Sequence, residues 1–412
     1  MSQQPTPRGD APLRILQVLG NAVVGGVEQH ALGLARDYLA LGHAVACVAP
    51  FRSRLTTAFA ALGVEVRYTP LLDDPPWRSI ETLAMIMREQ RIDVAHAHLP
   101  NAHTVCALAA RLAGTPCVAT IHGLSPSVQD IAVARLCDSH LIGVCEASYR
   151  QLLAVGLSPQ RATLIRNGVD LDRFRPDAGE RDRLRADIGA GPDDVLVAFV
   201  GRFSHEKGPD NFIRMAGAAH RALPSLRFLM AGGGPMEAEL RALAGAAGLE
   251  NALLMRGVAR RSEDIYRAAD ILAHTSRSEA MPLVALEALA CGCPVLGFGV
   301  GGVPEIVSDD ETGVLTPPVE AAGTFCLHGG GWEAAASALV QLVSTSGKLP
   351  RMAVAARESA LALFDARRTA AETCDVYRAM LAETARDRGD ARSLRPIAMP
   401  PAKLAKTSAD AV

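Results

Sequence analysis

The sequence predicts an α/β protein built of two doubly wound domains that face each other across a cleft. At 412 residues the chain is long for one hydrophobic core, so two domains of roughly 150 to 200 residues are expected. Short apolar runs alternate with stretches of helical periodicity in both halves, a pattern typical of parallel sheets covered on both faces. In such folds, ligands bind at the carboxyl ends of the strands.

The first half opens with an apolar run over residues 14–19 that ends at Gly20 and is followed by a glycine loop. Helical spacing over 28–41, closed by Gly42, then indicates a strand, a loop and a helix. Further strands are predicted at 44–49, 64–67, 94–97, 116–121 and 140–144, and further helices at 80–89, 102–112 and 127–136. These elements form an N-terminal domain over 13–175.

Over residues 169–194 the composition shifts to Asp, Arg and Gly and no long apolar run occurs, which indicates the boundary between the domains. A second series of strands is predicted at 195–200, 227–231, 252–255, 271–273 and 294–297. They belong to a C-terminal domain over 176–366, in which 323–331 has the composition of an inserted glycine-rich loop. The polar segments 1–12 and 386–412 are predicted to be disordered tails.

Composition limits the partners and the compartment of the chain. Apolar residues make up 49% and charged residues 21%, and the formal net charge of -2 gives no long-range attraction to nucleic acid or to an acidic membrane. Residues 1–12 have no apolar segment of a signal peptide, so we expect a cytoplasmic protein with nine reduced cysteines. Glu287 and Pro294 interrupt the most apolar stretch, 281–303, which excludes a spanning helix. Peripheral contact with the inner membrane surface stays open.

Two cations follow the predicted strand at 195–200. Arg202 comes after Gly201 at the strand end, and Lys207 lies five residues further on beside Gly208. A guanidinium and an ammonium together can neutralise a diphosphate, and glycine lets an anion approach the backbone. Two solvated cations in an ordinary loop are the alternative. The glycines at a strand end favour a diphosphate site.

Two carboxylates, Glu279 and Glu287, stand eight residues apart around the start of a predicted helix, in which Pro282 can occupy the first turn. Eight residues span about 12 Å at helical rise. The two side chains could therefore accept hydrogen bonds from hydroxyls at opposite ends of a nucleotide sugar, but could hardly hold one metal ion. The alternative for Glu287 is a pairing inside an otherwise apolar helix.

A glycine-rich turn over 297–302 interrupts the chain after a strand, and Pro304 is predicted to begin a new helix. A phosphate could lie on the amide groups of such a helix N-terminus. Glu305, next in the chain, is either a ligand contact or only a favourable charge at the helix start. The turn at 232–235 is similar, and an ordinary tight turn explains it equally well.

The first half supplies the facing wall of the cleft. Gly25 and Gly26 lie in the loop after the first strand, but the sequence contains no G-x-G-x-x-G there, which disfavours a nicotinamide or flavin site. His122 ends an apolar strand at a position where a ligand would approach. It is predicted either to touch the substrate or to be a hydrogen-bonded structural residue.

Other polar residues of the first half have weaker signals. His96 and His98 lie at one strand end, Asn101 follows, and all three are assigned to the acceptor side of the cleft. Asp170 and Asp172 match the D-x-D pattern of metal-dependent sugar transferases, but they lie in the linker and not at a sheet end. A turn and a helix cap are the preferred roles for them. We therefore predict no bound metal.

Taken in order along the chain, these motifs resemble glycosyltransferase family 4, the retaining glycosyltransferases of GT-B fold with two Rossmann-like domains. The resemblance covers about residues 14 to 315. The pair of Glu residues with the Arg and Lys is specific, whereas the glycine turns alone are not. The matching segments are 25–28, 96–98, 122–123, 165–170 with 174, 201–202 with 207–208, 231–235, 279 with 287, and 301–307.

The resemblance implies that the C-terminal half binds a nucleotide-sugar donor. Arg202 and Lys207 would contact the diphosphate, Glu287 the ribose and Glu279 the sugar, while His122 would reach the donor from the N-terminal half. Further donor contacts are assigned to Gly25, Gly26, Gly201, Gly233, Met281, Pro282 and Leu283. Many members of the family have a glycine-containing turn where this chain has Met and Pro after the first Glu.

The resemblance also implies a glycan or lipid-linked acceptor bound by the N-terminal half, and a last helix over 367–385 that packs back on the first domain. Transfer from a UDP- or GDP-sugar in cell-surface polysaccharide or lipopolysaccharide synthesis is the expected function, without a cofactor or metal. A sugar-nucleotide epimerase of the same fold and a non-catalytic nucleotide-sugar binding protein are the alternatives.

Overall fold

The computed structural model describes residues 11–23, 25–71, 76–191, 194–259, 261–317 and 331–393. Within these ranges the chain forms two parallel sheets with helices between the strands, one of seven strands and one of six. The predicted fold class is confirmed. Most of the predicted tails and of the predicted 323–331 insertion lies outside the described residues.

The first sheet has the strand order β3-β2-β1-β4-β5-β6-β7. Its strands are β1 (Arg14–Leu19), β2 (Ala44–Ala49), β3 (Glu65–Tyr68), β4 (Val94–His98), β5 (Cys117–Ile121), β6 (His140–Gly143) and β7 (Ala162–Leu164). The helices that join them are α1 (Gly26–Ala40), α2 (Arg54–Ala61), α3 (Trp77–Glu89), α4 (Pro100–Ala113), α5 (Val128–Cys137) and α6 (Glu146–Ala154). Every neighbouring pair of strands is parallel.

Residues on both faces of the first sheet are buried, which explains the continuous apolar runs of its strands. In β1, Leu16 and Val18 belong to one hydrophobic cluster, and Ile15 and Leu19 belong to another. Gln17 shares the second face with Ile15 and Leu19, and its side chain is fully buried. A polar side chain inside an apolar layer needs hydrogen-bond partners there.

The second sheet has the order β10-β9-β8-β11-β12-β13 and is also parallel throughout. Its strands are β8 (Val195–Val200), β9 (Leu226–Ala231), β10 (Leu253–Arg256), β11 (Ile271–His274), β12 (Val295–Phe298) and β13 (Gly313–Thr316). The helices of this half are α7 (Ala178–Asp187), α8 (Pro209–Ala222), α9 (Glu237–Ala246), α10 (Ser262–Ala268), α11 (Leu283–Ala290), α12 (Trp332–Ser344), α13 (Lys348–Leu363) and α14 (Ala366–Ser393).

The sequence did not predict several of these elements, among them α2, α6, α7, α13, β7 and β13. α7 lies in the stretch 169–194, and ion pairs help to hold it, because both Arg181 and Arg185 pair with Asp270. The strands β7 and β13 are short, with three and four residues. The helix α6 was also overlooked. Conversely, the helix predicted to begin at Pro304 is only a 3-10 turn, Val303–Glu305.

The strand orders place one topological switch point in each sheet. It falls between β1 and β4 in the first sheet and between β8 and β11 in the second. Ligands of doubly wound sheets bind in the crevice outside the carboxyl ends of such strands. The loops that follow these four strands therefore form the natural ligand-binding edge of each half.

The last helix, α14, packs against the first domain. Its residues Ala370, Cys374, Tyr377 and Met380 belong to the same hydrophobic cluster as Ile15 and Val94. The chain crosses between the halves at two adjacent points, because the amide of Val169 donates to the carbonyl of Phe364 at 2.8 Å and the amide of Ala366 donates back to Val169 at 3.1 Å. A side chain at Gly168 would lie 2.5 Å from the Cα of Ala366. Glycine is therefore needed where the two crossings touch.

The helix α14 continues to Ser393, so the predicted disordered tail from residue 386 is wrong for residues 386–393. Arg386, Arg388 and Arg392 in this stretch are good helix formers, which favours continuation of the helix. Neither α14 nor any other described helix is both long and apolar enough to cross a membrane.

We predict that hydrogen bonds of the Tyr377 hydroxyl stabilise the packing of α14 on the first domain. The hydroxyl lies 2.9 Å from the Tyr38 hydroxyl and 2.6 Å from Nδ1 of His96. Tyr377→Phe should lower the free energy of unfolding by about 1 to 3 kcal/mol, because it leaves buried polar groups without a partner. Urea unfolding followed by circular dichroism measures the loss.

Tyr149→Phe is the matched control, since the Tyr149 hydroxyl has no hydrogen-bond partner in the described part of the chain. It should change the free energy of unfolding by less than about 0.5 kcal/mol. Equal losses in the two variants would contradict the proposed contact.

Candidate functional site

The loop after β8 carries Gly201 and Arg202 to the edge of the second sheet. Its backbone packs closely on the loop after β9, because a side chain at Gly232 would lie 1.9 Å from the Gly201 carbonyl oxygen. The amide of Phe203 donates to the Gly233 carbonyl at 2.9 Å. These contacts fix the loop and leave the Arg202 side chain exposed at the mouth of the cleft.

Lys207 ends a short 3-10 turn, His205–Lys207, directly before α8. Gly208, with φ of 61°, lets this turn press against the loop after β11, since a Cβ there would lie 1.9 Å from the Thr275 carbonyl oxygen. The Lys207 ammonium donates to Oε1 of Glu279 at 2.8 Å. The structure therefore joins the cation of one switch-point loop to the carboxylate of the other.

Glu279 is held as a carboxylate. Burial opposes its ionisation, but His274 and Lys207 outweigh that effect and hold its pKa at about 2. Ser276 donates to the same oxygen, Oε1, at 2.9 Å, and His274 Nε2 lies 3.4 Å from it. All these contacts use one oxygen. The other, Oε2, is left to accept a hydrogen bond from a ligand hydroxyl.

Glu287 lies in a different environment, inside the helix α11 that follows the Glu279 loop. Burial raises its pKa to about 7, although the hydrogen bond from the Tyr266 hydroxyl at 2.7 Å and the charge of Arg173 act in the opposite direction. With Leu283 of α11 and His30 of α1, Glu287 lines a cavity of about 270 Å³ between the two halves. The pairing with Tyr266 matches the structural alternative, and the cavity keeps the side chain within reach of a ligand.

The glycines Gly301 and Gly302 serve a close backbone contact. A side chain on Gly301 would lie 1.7 Å from the Glu279 carbonyl oxygen, and one on Gly302 would lie 2.0 Å from that of Ala280. Only glycine allows this turn to lie directly on the loop that carries Glu279. Glu305 accepts from the amide of Glu146 at 2.7 Å and pairs with Arg166, so it joins the two halves.

The first half meets Arg202 through Glu28 in the first turn of α1. The Glu28 carboxylate is buried, and burial raises its pKa, an effect that its own backbone amide and the charge of Arg202 partly offset. Gly25 lies beside it, because a Cβ on Gly25 would meet Oε2 of Glu28 at 2.8 Å. Gly26 is the first residue of α1 and has open space around it. The sequence assigned no role to Glu28.

The loop after β5 places His122 near the Glu279 loop. Leu124 lies two residues after His122, and its Cδ2 atom is 2.8 Å from the position that a Cβ on Gly301 would take. Gly301 in turn packs against the Glu279 carbonyl. Asn167 adds a second link, since its side-chain amide donates to the Met281 carbonyl at 2.9 Å. Pro282 then caps α11. His122 and Glu279 therefore stand on opposite walls of one cleft.

Two residues assigned to the acceptor side are not available to an acceptor. His96 and His98 are fully buried, and each has both ring nitrogens bonded. His96 uses Tyr377 and Thr120, at 2.6 and 2.7 Å. The prediction of direct contact is wrong for both, because they point into the layer under α1 and α14. Asn101 is partly exposed, and its side-chain amide donates to the Gly20 carbonyl at 2.8 Å.

One group of histidines has the spacing of possible metal ligands in the described ranges. His30, His98 and His122 offer nitrogens that all lie within 4.8 Å of one another. The Asp170 carboxylate instead closes a turn, accepting from the amides of Asp172 at 3.1 Å and Arg173 at 3.0 Å, and pairs with Arg36. These bonds occupy both of its oxygens.

Sequence reasoning missed the residues that tune the two carboxylates. His274 and Ser276, which bond Glu279, stand at the end of β11 and in its loop, so a polar strand end was the available signal. Tyr266 lies 21 residues before Glu287 in the chain, and Arg173 lies much further away in sequence. No local pattern connects them to it.

Comparison with known proteins agrees with this geometry. The family model Glycosyltransferase Family 4 matches residues 24–173, and the model Glycosyl transferases group 1 matches residues 180–324. A D-inositol 3-phosphate glycosyltransferase 1 of Catenulispora acidiphila is 30% identical over 358 residues, which cover 75% of this chain and 84% of that protein. The chain belongs to glycosyltransferase family 4.

Other relatives of this family 4 chain match over less of their length. A D-inositol 3-phosphate glycosyltransferase of Mycobacterium sp. (strain KMS) is 34% identical over 247 residues, 54% of this chain and 55% of that relative. The match thus spans about half the length of such relatives. Among solved structures, HepE of Anabaena in complex with UDP-glucose has a TM-score of 0.76 at 23% identity and covers 88% of this chain and 99% of its own. That similarity shows the GT-B fold.

The raised pKa of Glu287 predicts a pH dependence of stability. A carboxyl whose folded pKa lies near 7 against an ordinary 4.5 binds its proton more tightly when folded, so the free energy of unfolding falls as pH rises from about 5 to 7. Glu287→Gln should remove up to about 3 kcal/mol of this decline, at about 1.4 kcal/mol per pKa unit. Urea unfolding at pH 5, 6, 7 and 8 measures it.

Glu279→Gln is the control for this series. The pKa of Glu279 is about 2, so its ionised carboxylate stabilises the fold above pH 4.5. This stabilisation is lost only as pH falls towards 2, and it adds no slope to the free energy of unfolding between pH 5 and 8. This variant should be destabilised by a constant amount across the series. Parallel curves for the unmodified chain and Glu287→Gln would refute the assignment to Glu287.

Proposed function

We propose that this family 4 protein transfers a sugar, with retention of configuration, from a UDP- or GDP-sugar to a hydroxyl of a glycan or lipid-linked acceptor. The observation that carries the proposal is the contact of Lys207 with Glu279 at the mouth of the second sheet, opposite His122. An ammonium and a carboxylate side by side match the diphosphate and the hydroxyl-rich sugar of one donor.

Stabilisation of the leaving group is the physical task in this reaction. Negative charge grows on the nucleoside diphosphate as the sugar leaves, and Arg202 with Lys207 would neutralise it. The N-terminus of α11, which begins at Leu283 after the Glu279 loop, would add the positive end of its helix dipole. Glu279, ionised throughout the physiological pH range, accepts from sugar hydroxyls and holds the ring in place.

In this proposal no enzyme side chain forms a bond to the sugar. A diphosphate oxygen takes the proton of the acceptor hydroxyl as the new glycosidic bond forms, and the bond to the diphosphate breaks. No metal is required, because two cations supply the positive charge. Closure of the two halves would exclude water and limit hydrolysis of the donor.

UDP-sugars are the first donors to consider, because HepE of Anabaena was solved with UDP-glucose. Synthesis of cell-surface polysaccharide or lipopolysaccharide, on the cytoplasmic side of the membrane, remains the proposed setting. D-inositol 3-phosphate is a second candidate acceptor, because the Catenulispora and Mycobacterium relatives carry that substrate in their names.

We predict that one nucleotide class raises the melting temperature of the protein. A ligand present at 100 times its Kd should raise Tm by about 3 to 8 °C, because it binds only the folded state. A thermal-shift screen across UDP-, GDP-, ADP- and CMP-sugars measures this. A flat response to all four would contradict the proposed donor site.

The cations of the donor site are predicted to act in the transfer step. Arg202→Ala and Lys207→Ala should each reduce kcat by roughly 100- to 1000-fold, as for loss of a group that stabilises charge in the transition state. Lys348→Ala is the matched control, because Lys348 pairs with Asp310 on the surface and should retain full activity. Release of the free nucleotide measures turnover, and circular dichroism shows that each variant is folded.

Product analysis separates the rival reactions. NMR of the products with and without a glycan, a lipid-linked sugar or D-inositol 3-phosphate shows whether an acceptor is needed. Conversion of the donor sugar without any acceptor would indicate an epimerase. Near-normal turnover in both cation variants would refute the proposed transfer mechanism.

A further inference from the structure

A chain of hydrogen bonds runs beneath α1 from the middle of the first sheet to the cleft. It begins at Gln17 of β1, passes through His98 at the end of β4 and reaches His122 after β5. The register of the parallel strands explains the alignment, because Gln17 lies opposite His96 and His98 lies opposite Thr120. Alternate residues of these strands share one face, so the polar side chains meet within a single layer.

The acceptor at one end defines the direction of each bond. Gln17 Oε1 lies 2.6 Å from Nε2 of His98, and a carbonyl oxygen can only accept. His98 must therefore carry its proton on Nε2, and its Nδ1 is left as an acceptor. Nε2 of His122, at 3.1 Å from that Nδ1, must then donate. The nitrogen of His122 that remains for a ligand is Nδ1, with a lone pair.

This assignment requires that each ring carry one proton only. His98 is fully buried, and neither of its hydrogen-bond partners, the Gln17 carbonyl oxygen and a His122 ring nitrogen, carries a negative charge, so a charged ring there would have no counter-ion. The rings of His30 and His122 meet edge to face at 5.1 Å. Around neutral pH the rings of the chain are therefore neutral.

We propose that Gln17 is a positioning residue that sets, through His98, which nitrogen of His122 carries the proton. His122 then presents an acceptor nitrogen to the donor, and a sugar hydroxyl must donate to it. This role rests on the proposed function, because it concerns the contact of His122 with the donor sugar. If the Gln17 amide were reversed, both rings would reverse with it and His122 would present an N–H.

Fully buried Gln17 and His98 have no access to substrate themselves, so their effect must pass through His122. The structural alternative is that Gln17 only fills the layer and satisfies one ring nitrogen. The two roles differ in a measurable way. A filling role predicts no link between the residue at position 17 and the proton position on His122.

The test uses the full chain with ¹⁵N-labelled histidine at pH 8, in buffer with EDTA so that no metal ion occupies the three imidazoles. Long-range ¹H–¹⁵N spectra show which ring nitrogen carries the proton. The unmodified protein should show Nε2–H on both His98 and His122. Gln17→Met, similar in length and with only a weakly accepting thioether in place of the carbonyl oxygen, should shift both rings together towards Nδ1–H. Gln17→Glu, which can accept from His98, should retain Nε2–H on both.

Kinetics with the donor found in the thermal screen provide the second measurement. Gln17→Met should lower kcat by roughly tenfold with the donor KM within about twofold, by analogy with outer partners that orient metal-bound histidines. Gln17→Glu should restore kcat to within about threefold of the unmodified protein at the same pH. Thr120→Val is the matched control, because Thr120 bonds His96 and takes no part in the hydrogen bonds that join Gln17, His98 and His122. It should leave both rings and kcat unchanged.

Two results would overturn the proposal: Nε2–H retained on His122 in Gln17→Met, or an unchanged kcat in that variant despite reversed rings. An equal loss of kcat in Gln17→Glu and Gln17→Met with unchanged rings would also overturn it, because packing alone would explain the effect. If the unmodified protein consumes no donor, the proposed function fails separately. The spectra still decide whether Gln17 controls the proton positions.

Discussion

Parallel sheets that are covered on both faces leave only the carboxyl ends of their strands open to a ligand. In this chain that constraint selects the loops after β1, β4 and β5 in the first sheet and those after β8 and β11 in the second. The residues that these loops and strand ends bring to one cleft are Gly25, Glu28, His122, Arg202, Lys207 and Glu279. Their separation of up to about 250 positions in sequence matters little, because each sheet fixes where its strand ends lie.

Backbone contacts, more than the ion pair itself, fix the position of Glu279. Two glycines pack against the loop that carries Glu279: Gly208 contacts the Thr275 carbonyl, and Gly301 contacts the Glu279 carbonyl. A Cβ at either glycine would overlap a carbonyl oxygen. The loops could therefore not pack this closely with a larger residue at either position. Under the proposed function, Lys207 would exchange Glu279 for a diphosphate while the loop that carries the carboxylate stays in place. The glycines that looked like a phosphate cradle in sequence thus have a demonstrated structural role.

How far the sequence could predict this structure depended on the range of each interaction. Apolar runs revealed most strands of both halves, because a strand that is buried on both faces has consecutive apolar residues. Helical periodicity revealed many of the helices between them. The helix α7 was missed because ion pairs of Arg181 and Arg185 with distant Asp270 hold it. The candidate cations and the first Glu were found from local spacing. The partners of Glu287 and the burial of His96 were not, because they depend on contacts between elements far apart in the chain.

The two walls of the cleft differ in charge for a physical reason. The second half presents Arg202, Lys207 and ionised Glu279, whose hydrogen bonds outweigh the effect of burial. The first half presents imidazoles, and burial together with mutual repulsion keeps them neutral. Under the proposed function, a diphosphate would be drawn to the second half, and its sugar would meet a wall that offers hydrogen bonds without competing positive charge. The asymmetry would orient the donor before any acceptor binds, since charge sets the direction of the diphosphate and the neutral rings contact only what lies beyond it.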